Sequence, residues 1–261
     1  MSGSLTVVGT GILAGGHATL ETIAVLRDAT KVFYLVADAA AARWILDLQP
    51  EAESLYGSYA PGKDRRASYE EMVERMLAAV RAGETVCGAF YGHPGVFAFP
   101  THEAVRRARA EGFEAQMLPG ISAEDCLFAD LGVDPAAHGC QSFEASDFLL
   151  RRRRFDPTAA LVLWQIGAIG VRDFSQEDLW SREGLAVLAA RLLEVYPPGH
   201  EVVIYEAAQY AVCEPLIRRT PLSTLAEAPA SVLSTLYVPP HGEPAVDREM
   251  RRRLGLDGRG A

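Results

Sequence analysis

Residues 91–97 read YGHPGVF and directly follow Glu84–Phe90, a short run that predicts a β-strand. Two glycines, a proline and a histidine make this segment a rigid turn with exposed backbone amides and carbonyls. Such a turn is suited to contact a ligand. The alternative is a structural loop in which His93 is simply hydrogen-bonded. The segment therefore marks the end of this strand as a candidate binding site.

A second strand-to-turn segment lies near the N-terminus, where Leu5–Val8 runs into GTGILA at 9–14. With Asp38 after a predicted strand at 31–37, this segment formally fits the dinucleotide-binding pattern GxGxxG/A. The same glycines can equally make a tight strand-to-helix turn. A Rossmann-type site is therefore one hypothesis for this turn, and a purely local turn is the other.

A third segment, MLPGISAEDCLFADLG at 117–132, closes a predicted strand at 113–118 with Pro119-Gly120. Ser122 stands three residues before Asp125, which is a capping pattern that opens an apolar helix. Ser122 is then either a cap alone, or the amides of the helix start also hold a ligand carboxylate.

The order of the predicted elements indicates an α/β fold. Helices predicted at 18–28, 67–82 and 101–111 alternate with the strands, which implies a parallel sheet that binds ligands at its carboxyl edge. The helix at 67–82 is the clearest, because its apolar residues form one stripe: Met72, Val73, Met76, Leu77 and Val80.

The pattern changes after about residue 120, which predicts a second α/β domain with a more mixed sheet. Its elements are helices at 122–131 and 183–195 and strands at 160–166, 201–206 and 232–238. The predicted domains are 1–119 and 120–240, followed by a polar tail at 241–261.

Composition limits the classes of function. Among 261 residues, the four cysteines form no CxxC pair, so we expect neither a zinc or other metal site nor disulfides. The net charge of −9 argues against a nucleic-acid partner, although Arg151–Arg154 form a basic run that is either a solvated face or a local patch. Without a basic n-region, and with no apolar run long enough to span a bilayer, we expect a cytoplasmic protein without membrane contact.

Together, GTG at 9–11, GHPGVF at 92–97 and LPGISAE at 118–124 resemble the tetrapyrrole methylases. The tract LYGSYAPGKDRRASYEEM at 55–72, with FEASDFLL at 143–150, is similar to the borosin peptide α-N-methyltransferases within that fold. The resemblance implies two α/β domains with S-adenosylmethionine (SAM) bound between them. It also implies methylation of backbone amides in a ribosomal peptide, with S-adenosylhomocysteine as the product.

The resemblance also implies the site residues. The catalytic residues would be Arg65, Tyr59 and Tyr69; if Arg65 and Tyr69 share a helix face, the guanidinium could hold an oxyanion and lower the pKa of a phenol. The alternative interpretations are that Arg65 is a surface charge and that Tyr69 is an aromatic residue at the edge of the core. The implied cofactor residues are Tyr91, His93, Val96, Phe97, Ser122, Ala123, Gln165, Tyr205, Ala207, Leu233, Ser234 and Thr235.

Gln165 has support of its own, because it is a lone amide inside the apolar run LVLWQIGAIGV. A buried amide requires a polar partner. An adenine edge and a backbone carbonyl both remain open as that partner.

Fused borosin enzymes carry their peptide after the methyltransferase domain on the same chain. Because this sequence departs from that pattern, the resemblance implies a split enzyme that acts on a separate precursor. It further implies a homodimer that forms a heterotetramer with two precursors. The alternatives are a tetrapyrrole or other small-molecule C-methyltransferase of the same fold, and a non-catalytic SAM-binding or dinucleotide-binding regulatory protein. A dehydrogenase leaves the motifs at 91–97 and 118–124 unexplained.

Overall fold

Two five-stranded sheets form the framework of the chain in the computed structural model, which describes residues 3–60, 62–170 and 181–256. Their contacts divide these residues into two compact units. The first unit contains residues 3–133, 170, 181 and 205–218, and the second contains residues 134–169, 182–204 and 219–256.

The first unit is built on a parallel sheet. Its elements are β1 (Ser4–Gly9), α1 (Leu20–Asp28), β2 (Lys31–Leu35), α2 (Ala39–Leu48), β3 (Glu53–Ser54), α3 (Arg65–Arg81), β4 (Thr85–Phe90), α4 (Phe99–Ala110), β5 (Glu114–Met117) and α5 (Ala123–Leu131). The strands lie in the order β3-β2-β4-β1-β5, and all neighbouring pairs are parallel. This confirms the predicted sheet and places the segments after β1, β3, β4 and β5 at its carboxyl edge.

Helix α3 supplies much of the core on one face of this sheet. The stripe that its spacing predicted is fully buried and packs with residues of β1 and β4: Met72, Val73, Met76, Leu77 and Val80. The helix begins at Arg65, earlier than the predicted residue 67, because the Asp64 side chain accepts a hydrogen bond from the Ala67 amide at 3.1 Å and caps it.

Three glycine turns meet at the carboxyl edge of the first sheet. A β-carbon at Gly9 would lie 2.3 Å from the carbonyl oxygen of Gly92 and 3.1 Å from the α-carbon of Gly120. Because Gly120 packs against Gly9, the chain remains in the first unit beyond the predicted boundary at 119/120. The contacts place the division after Val133 instead, so α5 belongs to the first unit.

The GTG turn does not open a helix. Gly11 forms an antiparallel bridge with Gly92, and α1 begins only at Leu20. The Asp38 carboxylate accepts hydrogen bonds from the first amides of α2, so it serves as a helix cap. A dinucleotide-binding turn needs helix amides directly behind its glycines. The structure therefore contradicts the Rossmann hypothesis for this turn.

The second sheet is mixed, as predicted. Its order is β6-β7-β10-β8-β9, with β6 and β7 parallel and β7 and β10 antiparallel. The elements are α6 (Pro135–His138), β6 (Cys140–Glu144), α7 (Ala145–Leu150), β7 (Ala160–Trp164), α8 (Arg182–Leu193), β8 (Glu201–Glu206), β9 (Leu216–Pro221), β10 (Thr235–Val238) and α9 (Arg248–Arg253).

The segment predicted as a polar tail contains α9, whose N-terminus is capped by the Asp247 side chain. Within the described residues, no helix combines the length and apolar character that a membrane span requires. In the same part of the chain, no group of three or more His, Cys, Asp or Glu side chains is placed to hold a metal ion.

Candidate functional site

The start of α3 brings the predicted catalytic residues together. Arg65 is the first residue of α3, and Tyr69 lies one helical turn later, so their side chains share a face. Tyr59 follows a short turn after β3, and the centroid of its ring lies 6.3 Å from that of Tyr69. All three residues are half-buried. The structure thus places them in one cluster, and their catalytic roles stay a prediction.

Tyr59 is held in its neutral form. Burial raises the pKa of Tyr59 above its ordinary value of 10.0, and the hydrogen-bonded neighbour Tyr69 raises it further, whereas the positive charge of Arg65 lowers it. The net pKa shift of Tyr59 is upward, because burial and Tyr69 outweigh the lowering by the Arg65 charge. At neutral pH, Tyr59 is a hydrogen-bond donor.

This raised pKa predicts alkaline sensitivity. The free energy of unfolding is expected to fall as the pH rises above 10.0, because Tyr59 loses its proton there in the unfolded chain but keeps it in the folded one. Urea titrations from pH 8 to pH 11 measure this slope, and Tyr59→Phe is expected to reduce it. Equal slopes for the wild-type protein and Tyr59→Phe would contradict the prediction.

Arg65 differs from the neighbouring arginines of α3 and α4. Five of these form ion pairs with glutamates: Arg66, Arg75, Arg81, Arg106 and Arg107. In the part of the chain that the structure describes, the Arg65 side chain makes no hydrogen bond and no ion pair. A guanidinium carries five donors. All of those of Arg65 are therefore available to a ligand beside Tyr59 and Tyr69.

The YGHPGVF loop is held by internal hydrogen bonds. The Nδ1 atom of His93 accepts a hydrogen bond from the Gly95 amide at 2.9 Å, as the structural interpretation of that histidine expected. Val96 and Phe97 are 37% and 51% exposed, and Phe97 has a φ of 54°, a left-handed conformation that is costly for a bulky residue. Exposed apolar side chains on a strained loop suit contact with a ligand.

Tyr91 and Tyr205 form a second group in the first unit. Burial raises the pKa of Tyr91 to about 12, and the Tyr91 side chain is hydrogen-bonded to Gln209. Tyr205 is fully buried, and its hydroxyl donates to Oδ2 of Asp130 at 2.6 Å. Burial and this bond raise the pKa of Tyr205, and Tyr91 raises it further. The predicted Ala207 is half-buried in the same segment.

Ser122 is the N-cap of α5, as its spacing from Asp125 predicted. Its hydroxyl accepts from the Asp125 amide at 3.2 Å, and the Asp125 carboxylate accepts from the Ser122 amide at 2.7 Å. This reciprocal pair is a capping box. Ala123, half-buried, is the first residue of the helix. The cap accounts for Ser122 structurally, and ligand binding at this helix start stays a prediction.

The N-cap of α5 predicts how much stability is lost when the Ser122 hydroxyl is removed. Ser122→Ala is expected to lower the free energy of unfolding by about 1 kcal/mol, because it leaves the Asp125 amide without its side-chain acceptor. Urea denaturation measures the loss. Ser223→Ala, at an exposed serine in the second unit, is the control. The prediction fails if both variants lose the same amount.

In the second unit, the structure brings Gln165 next to the 233–235 segment. The Ile166 amide donates to the Ser234 carbonyl at 3.0 Å. Leu233 is 51% exposed, whereas Ser234 and Thr235 are buried. Gln165 is half-buried with a left-handed φ of 55°, and among the described residues its side-chain amide makes no hydrogen bond. The sequence left an adenine edge and a backbone carbonyl open as partners of the Gln165 amide. In the described part of the chain, this amide binds no backbone carbonyl.

The family model described as Tetrapyrrole (Corrin/Porphyrin) Methylases matches residues 4–226. The chain belongs to this family. The matched range includes the predicted cofactor residues as far as Ala207 and ends before the predicted cofactor residues at 233–235.

Two relatives of this chain come from fungi. A methyltransferase/ribosomally synthesized cyclic peptide gymnopeptides precursor of Gymnopus fusipes is 43% identical over 259 residues, or 98% of this chain and 61% of the relative. A methyltransferase/ribosomally synthesized type I borosin cyclic peptide precursor of Coprinopsis marcescibilis is 41% identical over 263 residues, or 98% of this chain and 67% of the relative. The chain thus spans about three fifths to two thirds of these relatives.

A solved structure agrees with the tetrapyrrole methylase fold. Uroporphyrin-III-C-methyltransferase from Thermus thermophilus superposes with a TM-score of 0.65 at 21% identity, covering 92% of this chain and 93% of the neighbour. At this identity the likeness supports the fold alone.

Several contacts in the structure were not predicted from the sequence. Asp130 accepts from Tyr205, Gln209 binds Tyr91, and Phe99 packs against Tyr69. In the sequence, no local pattern distinguishes Asp130 and Gln209 from other polar residues. Phe99, two residues after the turn at 91–97, offered only its position as a signal.

Proposed function

We propose that this protein is a SAM-dependent methyltransferase that α-N-methylates backbone amides of a ribosomally made peptide. The similarity to the two fungal relatives, whose names combine a methyltransferase with a ribosomal peptide precursor, supports the reaction class. The observation that carries the proposal is the guanidinium of Arg65 beside Tyr59 and Tyr69, which has no partner among the described residues.

An amide nitrogen is a poor nucleophile, because its lone pair is delocalised into the carbonyl group. Methylation therefore requires imidate character, which a cation near the carbonyl oxygen stabilises. Arg65 is suited to this role, since it is half-buried and its donors are not used within the described chain. In this role the guanidinium holds the charge that develops on the peptide oxygen.

The amide must also lose its proton when the new N–C bond forms. Tyr59 and Tyr69 are hydrogen-bonded to each other. Because its raised pKa keeps Tyr59 protonated at neutral pH, the pair acts as a relay that passes the proton onward to solvent. In this mechanism Tyr59 does not act as a phenolate base.

The residues predicted for the cofactor fit its chemistry. In the first unit, Val96 and Phe97 expose apolar surface of the kind that an adenosine group contacts. In the second unit, Leu233 is also exposed, and the Gln165 side-chain amide makes no hydrogen bond within the described chain. SAM supplies an electrophilic methyl group on a sulfonium and leaves as S-adenosylhomocysteine. The placement of the cofactor between the two domains stays a prediction.

The test is mass spectrometry of a peptide after incubation with SAM. The peptide is the part of the Gymnopus fusipes relative outside the matched region, supplied separately in one arm and fused to this chain in another. Backbone N-methyl groups, located by fragmentation, are expected in at least one arm. Methylation of the separate peptide is the result that the split arrangement predicts.

A third arm distinguishes the alternative substrate class. It contains a uroporphyrin-III-type tetrapyrrole in place of the peptide. Methylation of the tetrapyrrole with no mass gain on either peptide would replace this proposal with small-molecule C-methylation. S-adenosylhomocysteine binding without transfer to any substrate would favour the regulatory protein.

A homodimer that binds two precursor peptides belongs to the same proposal. Its motivation is the resemblance to borosin enzymes and the need to order a flexible peptide substrate. Light scattering of the protein with and without peptide measures both states. A monomer with full activity would contradict the proposed homodimer.

A further inference from the structure

Phe99 lies where the YGHPGVF loop meets the predicted catalytic helix. It is the first residue of α4, and its ring centroid lies 6.1 Å from that of Tyr69. The Arg66 guanidinium lies over the Phe99 ring at 3.9 Å from the centroid. Phe99 thus makes two specific contacts with the first turn and a half of α3.

The same turn of α4 also holds the 91–97 loop. The buried Thr101 hydroxyl donates to the carbonyls of Pro94 and Ala98, the latter at 2.6 Å. The Nε2 atom of His102 lies 2.9 Å from the Gly95 carbonyl oxygen. Successive residues of a helix point in different directions, so one turn can contact α3 through one residue and the loop through others.

The aromatic contacts continue beyond Tyr69. The Tyr59 ring stands edge-on to Tyr69 at an interplanar angle of 78°, and Tyr56 stands edge-on to Tyr59 with centroids 5.7 Å apart. Phe99 is therefore one end of a row of four rings that includes both predicted catalytic tyrosines. On the outer side of α4, Arg107 is paired with Glu70, which keeps α3 and α4 in register.

We propose that Phe99 is a positioning residue that holds the Tyr69 phenol in place relative to the 91–97 loop. It touches neither the peptide nor the reacting atoms in this role, which rests on the proposed function. Removing the ring frees the Tyr69 side chain on that side and weakens the Arg66 contact. Small displacements of a catalytic group cost up to about 100-fold in rate.

The test compares Phe99→Leu with Phe113→Leu. Phe113 is also half-buried, lies next to the other end of α4 and packs against the core cluster that Tyr59 and Tyr69 contact, so it controls for general loss of packing. Phe99→Leu is expected to lower kcat for peptide methylation about 10-fold or more, with KM for SAM within about twofold of wild type. Phe99→Tyr keeps the ring and is expected to restore most of kcat.

Two further measurements do not depend on turnover. Calorimetry is expected to show equal S-adenosylhomocysteine affinity for wild type and Phe99→Leu. Ultraviolet titration of phenolate formation is expected to show one tyrosine ionising at lower pH in Phe99→Leu, because Tyr59 loses part of its contact with Tyr69. Phe113→Leu is expected to keep the wild-type titration.

Equal kcat values for Phe99→Leu and Phe113→Leu, or an unchanged tyrosine titration in Phe99→Leu, would overturn the role of Phe99. If the wild-type protein methylates no peptide, the proposed function fails instead. The titration still decides in that case whether Phe99 positions the tyrosine pair.

Discussion

Replacing Arg65 with alanine is expected to lower the rate of peptide methylation by about 10²–10³-fold, the range for the loss of one preorganised oxyanion donor. The physical reason is that Arg65 is the guanidinium beside Tyr59 and Tyr69 whose donors are not used within the described chain. S-adenosylhomocysteine affinity is expected to change little. Single-turnover mass spectrometry with saturating SAM measures the methyl-transfer step directly.

Two variants control this experiment. Arg65→Lys keeps the charge but loses the planar fork, so its rate is expected to fall between those of wild type and Arg65→Ala. Arg43→Ala removes an exposed arginine that pairs with Asp47 on α2, and it is expected to leave the rate unchanged. A wild-type rate in Arg65→Ala would remove Arg65 from the mechanism.

Replacing Gly9 with alanine is expected to destabilise the first unit by more than about 3 kcal/mol, or to prevent folding. The added β-carbon would meet the Gly92 carbonyl oxygen at 2.3 Å and the Cδ atom of Pro94 at 2.8 Å. Neither atom belongs to a flexible side chain, so the β1 and β4 turns would have to separate. Urea denaturation followed by circular dichroism measures the loss.

The matched control is Gly199→Ala, where no atom lies within 4 Å of the added β-carbon. That variant is expected to stay within about 0.5 kcal/mol of wild type. If Gly9→Ala is as stable as Gly199→Ala, the three glycine turns are not packed as described. Soluble expression separates a folding failure from a modest destabilisation.

Local patterns predicted the elements of the first unit well. The apolar stripe of α3 is buried as its spacing required, and Ser122 caps α5 as its distance from Asp125 indicated. Helix α2 was missed, because Asp38, whose side chain caps it, was interpreted as the acidic residue of a dinucleotide-binding pattern.

The site was predicted in part. The sequence named Tyr59, Arg65 and Tyr69 by resemblance, and the structure places them in one cluster. It did not indicate the direction of the pKa shift of Tyr59, which depends on burial and on the distance to Tyr69. Nor did it indicate the bond between Tyr205 and Asp130, whose residues are 75 positions apart.

The sequence by itself determined the turns, caps and amphipathic helices of this protein, because each depends on residues within a few positions of one another. The tertiary structure decided which turns touch, which of the described arginines of α3 has no partner within the described chain, and which phenol stays protonated. These properties depend on contacts such as those of Gly9 with Gly92 and Gly120, which form only when distant strands align. Desolvation and close approach are set by the whole packed unit, and a local sequence pattern does not contain them.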